Sequence, residues 1–247
     1  MSVTSPYSQL AAIYDNLFFA LGKDYSVEAQ RVSEFIKQYK RSSGNCLMDL
    51  GCGTGEHIKY LRQSYDIVGI DVSEEMLELA KQKNPDVIFH KMNMLDFKLS
   101  QKFDAIICLF SAIGYLRTKE KLNQAVKNVS FHLKNGGIFI VEPWYSPDDI
   151  YNQLDLVEFG EKQGIKACRM RETKVIGNIA KSSGHILISQ SGHVTHQISR
   201  HTFGLFSKDD FIEVFRKNNL TMCSTECDLS GRGLYIGIKD AINQKRT

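Results

Sequence analysis

The sequence predicts an α/β protein of Rossmann-like kind, a mostly parallel sheet with helices on both faces and a small antiparallel β insertion. Three observations predict it. The apolar run Leu47-Met48-Asp49-Leu50 enters the loop Gly51-Cys52-Gly53-Thr54-Gly55, and the loop feeds a helical pattern with Ile58 and Leu61 apolar and Lys59 and Arg62 polar. Strand, glycine loop and helix open a nucleotide-binding βαβ unit. A second apolar run, 65–70, ends in Asp71, about 20 positions past the glycines, where such units hold a ribose diol. From about 146 to 206 the strand–helix alternation gives way to short alternating runs with glycine breaks, which read as inserted antiparallel strands. The expected organisation is a cofactor-binding core with N-terminal helices over 1–145, the insertion over 146–206, and a closing helix and strands over 207–247.

Composition bounds the function. A chain of 247 residues with 43% hydrophobic and 24% charged residues can bury one substantial core. A net charge of +3 without basic runs argues against a nucleic-acid partner. Six dispersed cysteines with no C-x-x-C pair predict reduced thiols in the cytoplasm and no zinc site. Cys223 and Cys227 are four apart, but no second ligand pair accompanies them. No signal peptide or membrane-spanning stretch is expected.

Taken in order, residues 7 to 40 read as largely helical, with Val27, Val32, Phe35 and Ile36 at helical spacing. Tyr14 and Tyr25 carry two readings of equal standing, packing onto the sheet or a lid whose polar tips face a ligand. Past the second strand, Met76, Leu77, Leu79 and Ala80 pattern a helix, and Met76 is either core or a polarizable contact for a ligand ring. A short third strand over 87–90 precedes a loop in which Asn93, with the backbone of Met94, suits an adenine amino group; Asp96 reads as a turn residue. The fourth strand, 103–110, is near-continuously apolar, as a buried parallel strand should be. Ligands of open α/β sheets lie beyond the carboxyl ends of the strands. Leu109 is therefore assigned to the cofactor side, and Ser111 and Tyr115 fall near the reacting group.

A helix over about 119–133 is expected to stop at Asn135-Gly136-Gly137. The strand 138–141 then delivers Glu142-Pro143-Trp144-Tyr145. Glu142 and Trp144 suit acceptor contact, with Trp144 over a core edge as the competing reading. His185, His193, His196 and His201 in the insertion lack regular ligand spacing and read as polar strand residues, with no metal. Residues 208–217 read as a helix with Phe211, Ile212 and Phe215 inward, and 220–226 and 234–238 as closing strands. Between these strands Arg232 is flanked by Gly231 and Gly233, so its fork of donors can approach a phosphate or carboxylate.

The glycine pattern and Asp49 separate two kinds of ligand. A carboxylate beside the loop repels a pyrophosphate and attracts an ammonium group. S-adenosylmethionine has an amino-acid end and no phosphate, and residues 47–55 resemble motif I of the class I S-adenosylmethionine-dependent methyltransferases. The donor site is expected from Tyr14, Tyr25, Asp49, Gly51, Gly53, Asp71, Met76, Asn93, Met94 and Leu109.

Nearly the whole chain resembles the amino-sugar N-methyltransferases that build dimethylamino sugars on nucleotide carriers. The stretches that carry the resemblance are Ala12-Ile13-Tyr14-Asp15, Gly22-Lys23-Asp24-Tyr25, Leu50-Gly51-Cys52-Gly53-Thr54-Gly55, Phe110-Ser111-Ala112-Ile113-Gly114-Tyr115-Leu116, Val141-Glu142-Pro143-Trp144 and Ser230-Gly231-Arg232-Gly233-Leu234. The resemblance implies a seven-stranded sheet, a small β insertion and a nucleotide-sugar acceptor, with Tyr14, Tyr25, Glu142, Trp144 and Arg232 lining the site. Several relatives carry histidine where this chain has Tyr115, so a histidine base does not carry over.

The leading expectation is methyl transfer from S-adenosylmethionine to a small-molecule amine by in-line displacement, with Tyr115 and Glu142 as candidate catalytic groups and Ser111, Trp144 and Arg232 on the acceptor. Its alternatives are an O- or N-methyltransferase of another small metabolite and a non-catalytic cofactor-binding module. An intact glycine loop together with Asp71 argues against the module. No nucleic-acid or membrane partner is expected, and a homodimer is left open.

Overall fold

The structure is a computed structural model and describes residues 10–147, 155–229 and 231–240. Strands β1 (Cys46–Leu50), β2 (Asp66–Asp71), β3 (Ile88–Lys91), β4 (Phe103–Cys108) and β5 (Leu133–Val141) run parallel. With β10 (Leu220–Cys227) and β11 (Leu234–Lys239) they form a seven-stranded sheet in the order β10-β11-β5-β4-β1-β2-β3. β11 is antiparallel to both of its neighbours.

Alternation along the central strands sends side chains into two cores. Leu47 faces the core built with Val32 and Ile36 of α2 (Tyr25–Tyr39), Ile58 of α3 (Glu56–Leu61) and Leu77 of α4 (Glu74–Lys83). Met48 and Leu50 face the other, with Val126 and Val129 of α5 (Lys119–His132) and Phe211 and Phe215 of α6 (Lys208–Lys217). Asp49 thus shares the face of Leu47. It is buried there, near the carboxyl end of β1.

The helices begin where their sequences provide caps. Asp24 accepts from the N–H groups of Ser26 and Val27, Ser73 from Met76, and Thr118 from Lys121. Ser207 and Asp210 complete a reciprocal capping box at α6.

A separate four-stranded antiparallel meander follows: β6 (Leu156–Lys162), β7 (Ile165–Ile176), β8 (Ile179–Gln190) and β9 (His193–Gly204). Its hairpins turn on two residues each. In Gln163-Gly164 and Ser191-Gly192 both residues have positive φ, the geometry whose twist matches the flanking strands. Helix α1 (Ala11–Ala20) lies on the inner face, where Leu17 and Ala20 pack with Ile165, Ala167, Ile186 and Ile188. β6 approaches the end of α1 so closely that a Cβ on Gly160 would stand 2.1 Å from the Ala20 carbonyl oxygen.

Three expectations are corrected. α5 ends at His132, and Leu133 is already extended and pairs with Phe103, so Asn135-Gly136-Gly137 does not stop the helix. Gly136 instead lies inside β5 with φ +76°, and its carbonyl accepts from the N–H groups of Arg41 and Ser42. Ile212 is exposed, and Val214 takes the inward place beside Phe211 and Phe215. The insertion strands are long rather than short, because only Gly164, Gly177 and Gly192 turn the chain while Gly184 sits within β8. Among the described residues no helix is long and apolar enough to cross a membrane.

Candidate active site

The glycine loop is tied to β2 from both ends. Gly51 and Cys52 donate to the Ile70 carbonyl at 2.7 and 3.0 Å. Gly53 donates to one Asp71 carboxylate oxygen and Ser73 to the other, both at 2.9 Å. Gly51 (φ +82°) passes so near the turn after β4 that a Cβ there would lie 2.7 Å from Ala112 Cβ. Gly53 (φ +52°) faces open space, a cradle that a side chain would fill.

Above this loop lies a 310 Å³ cavity lined by Gly51, Gly53, Asp71, Met76, Asn93, Met94 and Leu109 among others. A smaller cavity of 50 Å³ adjoins it, with Tyr14, Tyr25 and Asp49 in its wall. Every donor-side residue expected from the sequence lines one or both. A third cavity, of 80 Å³, opens on the insertion side and carries Ser111, Tyr115, Trp144 and Arg232. Tyr14 and Phe110 line all three, and Tyr115 lines the first and third.

Burial governs the electrostatics. It pushes the Asp49 carboxyl up to about 7; His57 opposes the shift and Asp71 adds to it. Burial also raises Asp71, against the N–H groups of Ser73, Gly53 and Val72 that stabilise its charge. The Tyr25 phenol is raised for the same reason, reinforced by the carboxylates of Asp15, Glu28 and Glu56.

On the acceptor side the chain leaves β4 through Phe110 and Ser111 with φ of +51° and +65°, a conformation that needs support. Glu142 supplies it: its carboxylate accepts the Phe110 N–H at 2.5 Å, and the Ser111 hydroxyl donates to the Pro143 carbonyl at 2.9 Å. Glu142 is buried beneath the loop and is not in the wall of these cavities. Glu142, expected as a candidate catalytic group, is here bonded to the backbone that carries Phe110. Trp144 packs on Phe203 at 4.6 Å between ring centroids and also lines the third cavity. Arg232 lines the same cavity, donating to the Ser111 hydroxyl at 2.8 Å with its guanidinium 5.1 Å from the Phe110 ring. Its loop is held by Asp228, which accepts from the N–H groups of Gly231, Arg232 and Gly233.

A methyltransferase-domain family model matches residues 47–137. The chain is 31% identical over 230 residues to the dTDP-3-amino-3,4,6-trideoxy-α-D-glucopyranose N,N-dimethyltransferase of Streptomyces venezuelae, covering 92% of this chain and 97% of that protein. It is 30% identical to the dTDP-3-amino-3,6-dideoxy-α-D-glucopyranose N,N-dimethyltransferase of Streptomyces fradiae, covering 96% and 94%. Its fold superposes on the crystal structure of S. venezuelae DesVI with a TM-score of 0.88 at 31% identity, over 94% of this chain and 99% of that one. The SAM-bound amino pentose methyltransferase CalS10 of Micromonospora echinaspora gives 0.84 at 26% identity, over 92% and 96%. The chain belongs to the class I S-adenosylmethionine-dependent methyltransferases, in the sugar N-methyltransferase family.

The residues of this methyltransferase fit that donor. A buried carboxylate in the wall of the smaller cavity suits an ammonium, whose charge would offset the burial that raises Asp49, a second carboxylate at the end of β2 suits a diol, and the side-chain-free cradle at Gly53 admits close approach. Sequence reasoning missed the contribution of the insertion. Arg169 and Arg171 on β7 and His201 on β9 point inward and line the third cavity. His201 is thereby corrected from an ordinary strand residue to one in the site. The alternation in β7 placed Arg169 and Arg171 on one face, but which face met the core was not readable from the strands alone. Also missed were Lys23, Glu28 and His57, a buried ion-pair chain behind Tyr25. Among the described residues no group of three or more His, Cys, Asp or Glu could hold a metal ion.

Proposed function

We propose that the protein methylates the amino group of a nucleotide-linked deoxysugar. The observation that carries this reading is the shared wall of Tyr14, Phe110 and Tyr115 between the donor cavity and a pocket bearing Arg169, Arg171 and Arg232. Guanidinium groups recognise phosphate oxygens through several donors at once, which suits a nucleoside diphosphate, and Trp144 offers an apolar surface for a deoxysugar.

S-adenosylmethionine supplies an activated methyl group on a sulfonium. The protein then has to align rather than activate. In this reading Asp49 holds the donor's ammonium, Asp71 its ribose, and Met76, Asn93, Met94 and Leu109 its adenine. Tyr14 and Tyr25 close over it. Ser111, Trp144 and Arg232 hold the acceptor, and Tyr115 touches the amine. Alignment of reacting groups contributes about 7–11 kcal/mol in well-oriented systems. The amine must be neutral to attack, and a pocket lined by arginines disfavours an ammonium.

The same reading divides the chain into a donor core (1–145 and 207–247) and an acceptor-side insertion (146–206). Thiols not joined in disulfides at Cys46, Cys52, Cys108, Cys168 and Cys223 support a cytoplasmic enzyme. A homodimer is supported by the outer face of the insertion sheet, where Val157, Phe159, Met170, Leu187 and Val194 are exposed.

The test incubates the protein with S-adenosylmethionine and amino-deoxysugars, either linked to nucleoside diphosphates or free, and follows S-adenosylhomocysteine and product mass. Methylation of the linked amines in preference to the free ones is expected. Transfer to an oxygen, or equal use of free sugars, would refute the proposal.

A further inference from the structure

Tyr115 sits in a 3-10 turn (Ala112–Leu116) beyond β4, at the wall shared by the donor and acceptor cavities. Its hydroxyl lies 2.8 Å from Nδ1 of His201, which reaches it from β9 in the other sheet. The imidazole has little freedom. It stacks on Phe203 at 5.6 Å, and Phe203 is itself wedged between Tyr115 and Trp144. On β8 its register partner is Ser182, and the charged groups facing it are Arg169 and Arg171 of β7, with Glu158 of β6 paired to Arg169. Burial first, and then those two guanidiniums, push the imidazole down to about 4. It is neutral at physiological pH, and a neutral imidazole has one nitrogen that accepts and one that donates. A phenol hydroxyl carries one hydrogen that it can donate to an accepting nitrogen.

We infer that His201 is a positioning residue whose Nδ1 accepts the Tyr115 hydroxyl hydrogen and so turns the phenol's lone pairs toward the acceptor amine. The inference rests on the reading of the acceptor as an amine. With its own hydrogen committed to His201, the phenol oxygen can only accept, and it takes one N–H of the neutral amine. That bond fixes the direction of the nitrogen lone pair. His201 does not collect the amine's proton, because the guanidiniums that keep its ring neutral also oppose an imidazolium. The proton goes to solvent.

Two measurements test this. Nitrogen-15 NMR of labelled histidine needs no acceptor. The His201 ring at pH 7 is expected to be neutral with hydrogen on Nε2, and its Nδ1 resonance is expected to move in Tyr115→Phe. A protonated ring or an Nδ1–H tautomer would overturn the inference whatever the substrate proves to be. Kinetics with an accepted amine test the role. His201→Phe keeps the ring stack but removes the acceptor, and should lower kcat about threefold to tenfold, the range of one neutral hydrogen bond. Donor affinity and acceptor KM should stay the same. His201→Asn restores a carbonyl acceptor and should recover most of the loss, which a general packing defect would not. The double variant with Tyr115→Phe should be no slower than Tyr115→Phe alone. Losses that multiply, or an unchanged kcat in His201→Phe, would overturn the role. If the wild type methylates no amine, the function proposed above fails, while the NMR result still decides the hydrogen bond.

Discussion

Asp71 accepts one backbone N–H on each carboxylate oxygen, from Gly53 and from Ser73, and still faces the donor cavity. Each oxygen has lone pairs to spare for a diol. Asp71→Ala is expected to weaken S-adenosylmethionine by about 1.5–3 kcal/mol, the range for a charged hydrogen bond; calorimetry on the folded variant checks it, and undiminished affinity removes Asp71 from the site. Asp49 gives a pH signature. Its folded pKa, about 7, stands above the ordinary aspartate value of 3.8, so the empty protein loses stability from this group as pH rises between those values. Ammonium binding needs the ionised form. Donor affinity should therefore climb about tenfold per pH unit on approaching pH 7 and level off above it, until the donor's amino group itself deprotonates at about 8. In Asp49→Asn the rise should vanish; a rise that persists assigns the titration elsewhere. Arg232→Ala should raise the acceptor KM with donor affinity nearly constant. Equal reactivity of acceptors lacking the diphosphate, in both proteins, would show that Arg232 does not read phosphate.

Helix α1 joins the two halves of the site. Asp15 accepts from Thr54 of the glycine loop at 2.6 Å and pairs with Lys83 of α4, while Leu17 and Ala20 pack on the insertion sheet. Tyr14, on the same helix, reaches all three cavities. A side chain at Gly160 has no room beside Ala20. Gly160→Val should displace α1 at an overpacking cost of about 1–3 kcal/mol, lowering Tm and weakening donor binding together; a variant with wild-type Tm and affinity would show that α1 does not depend on this contact. Elements such as α6 were legible because caps and spacing are local, Ser207 and Asp210 at one end and Phe211 and Phe215 along the face. The donor side was legible for the same reason where it comes from one βαβ unit, in Asp49, Gly51, Gly53 and Asp71. The acceptor side was not. His201 meets Tyr115, and Arg171 joins them in one cavity, only through the packing of a second sheet, and no spacing within either strand announces it.

At the scale of the molecule, the insertion sheet has two unlike faces. The inner one carries Arg169, Arg171 and His201; the outer one presents Phe159, 85% exposed, beside Val157 and Val194. An apolar face of that kind marks an interaction surface, and a second copy of the sheet could cover it by face-to-face packing. Sedimentation should find a dimer in the wild type and a monomer in Phe159→Asp, with the fold intact by circular dichroism; a monomeric wild type would refute the homodimer. The strand order has a consequence for how the chain reaches this state. β11 follows all other described strands in sequence yet lies inside the sheet, between β5 and β10. The meander can form from neighbouring hairpins, whereas joining β10 to the rest of the sheet waits on β11, and such long-range pairings form slowly. Arg232 stands two residues ahead of that strand. During synthesis the nascent polypeptide would therefore acquire its donor-binding half first, and bring Arg232 to the third cavity only when β11 slots into place.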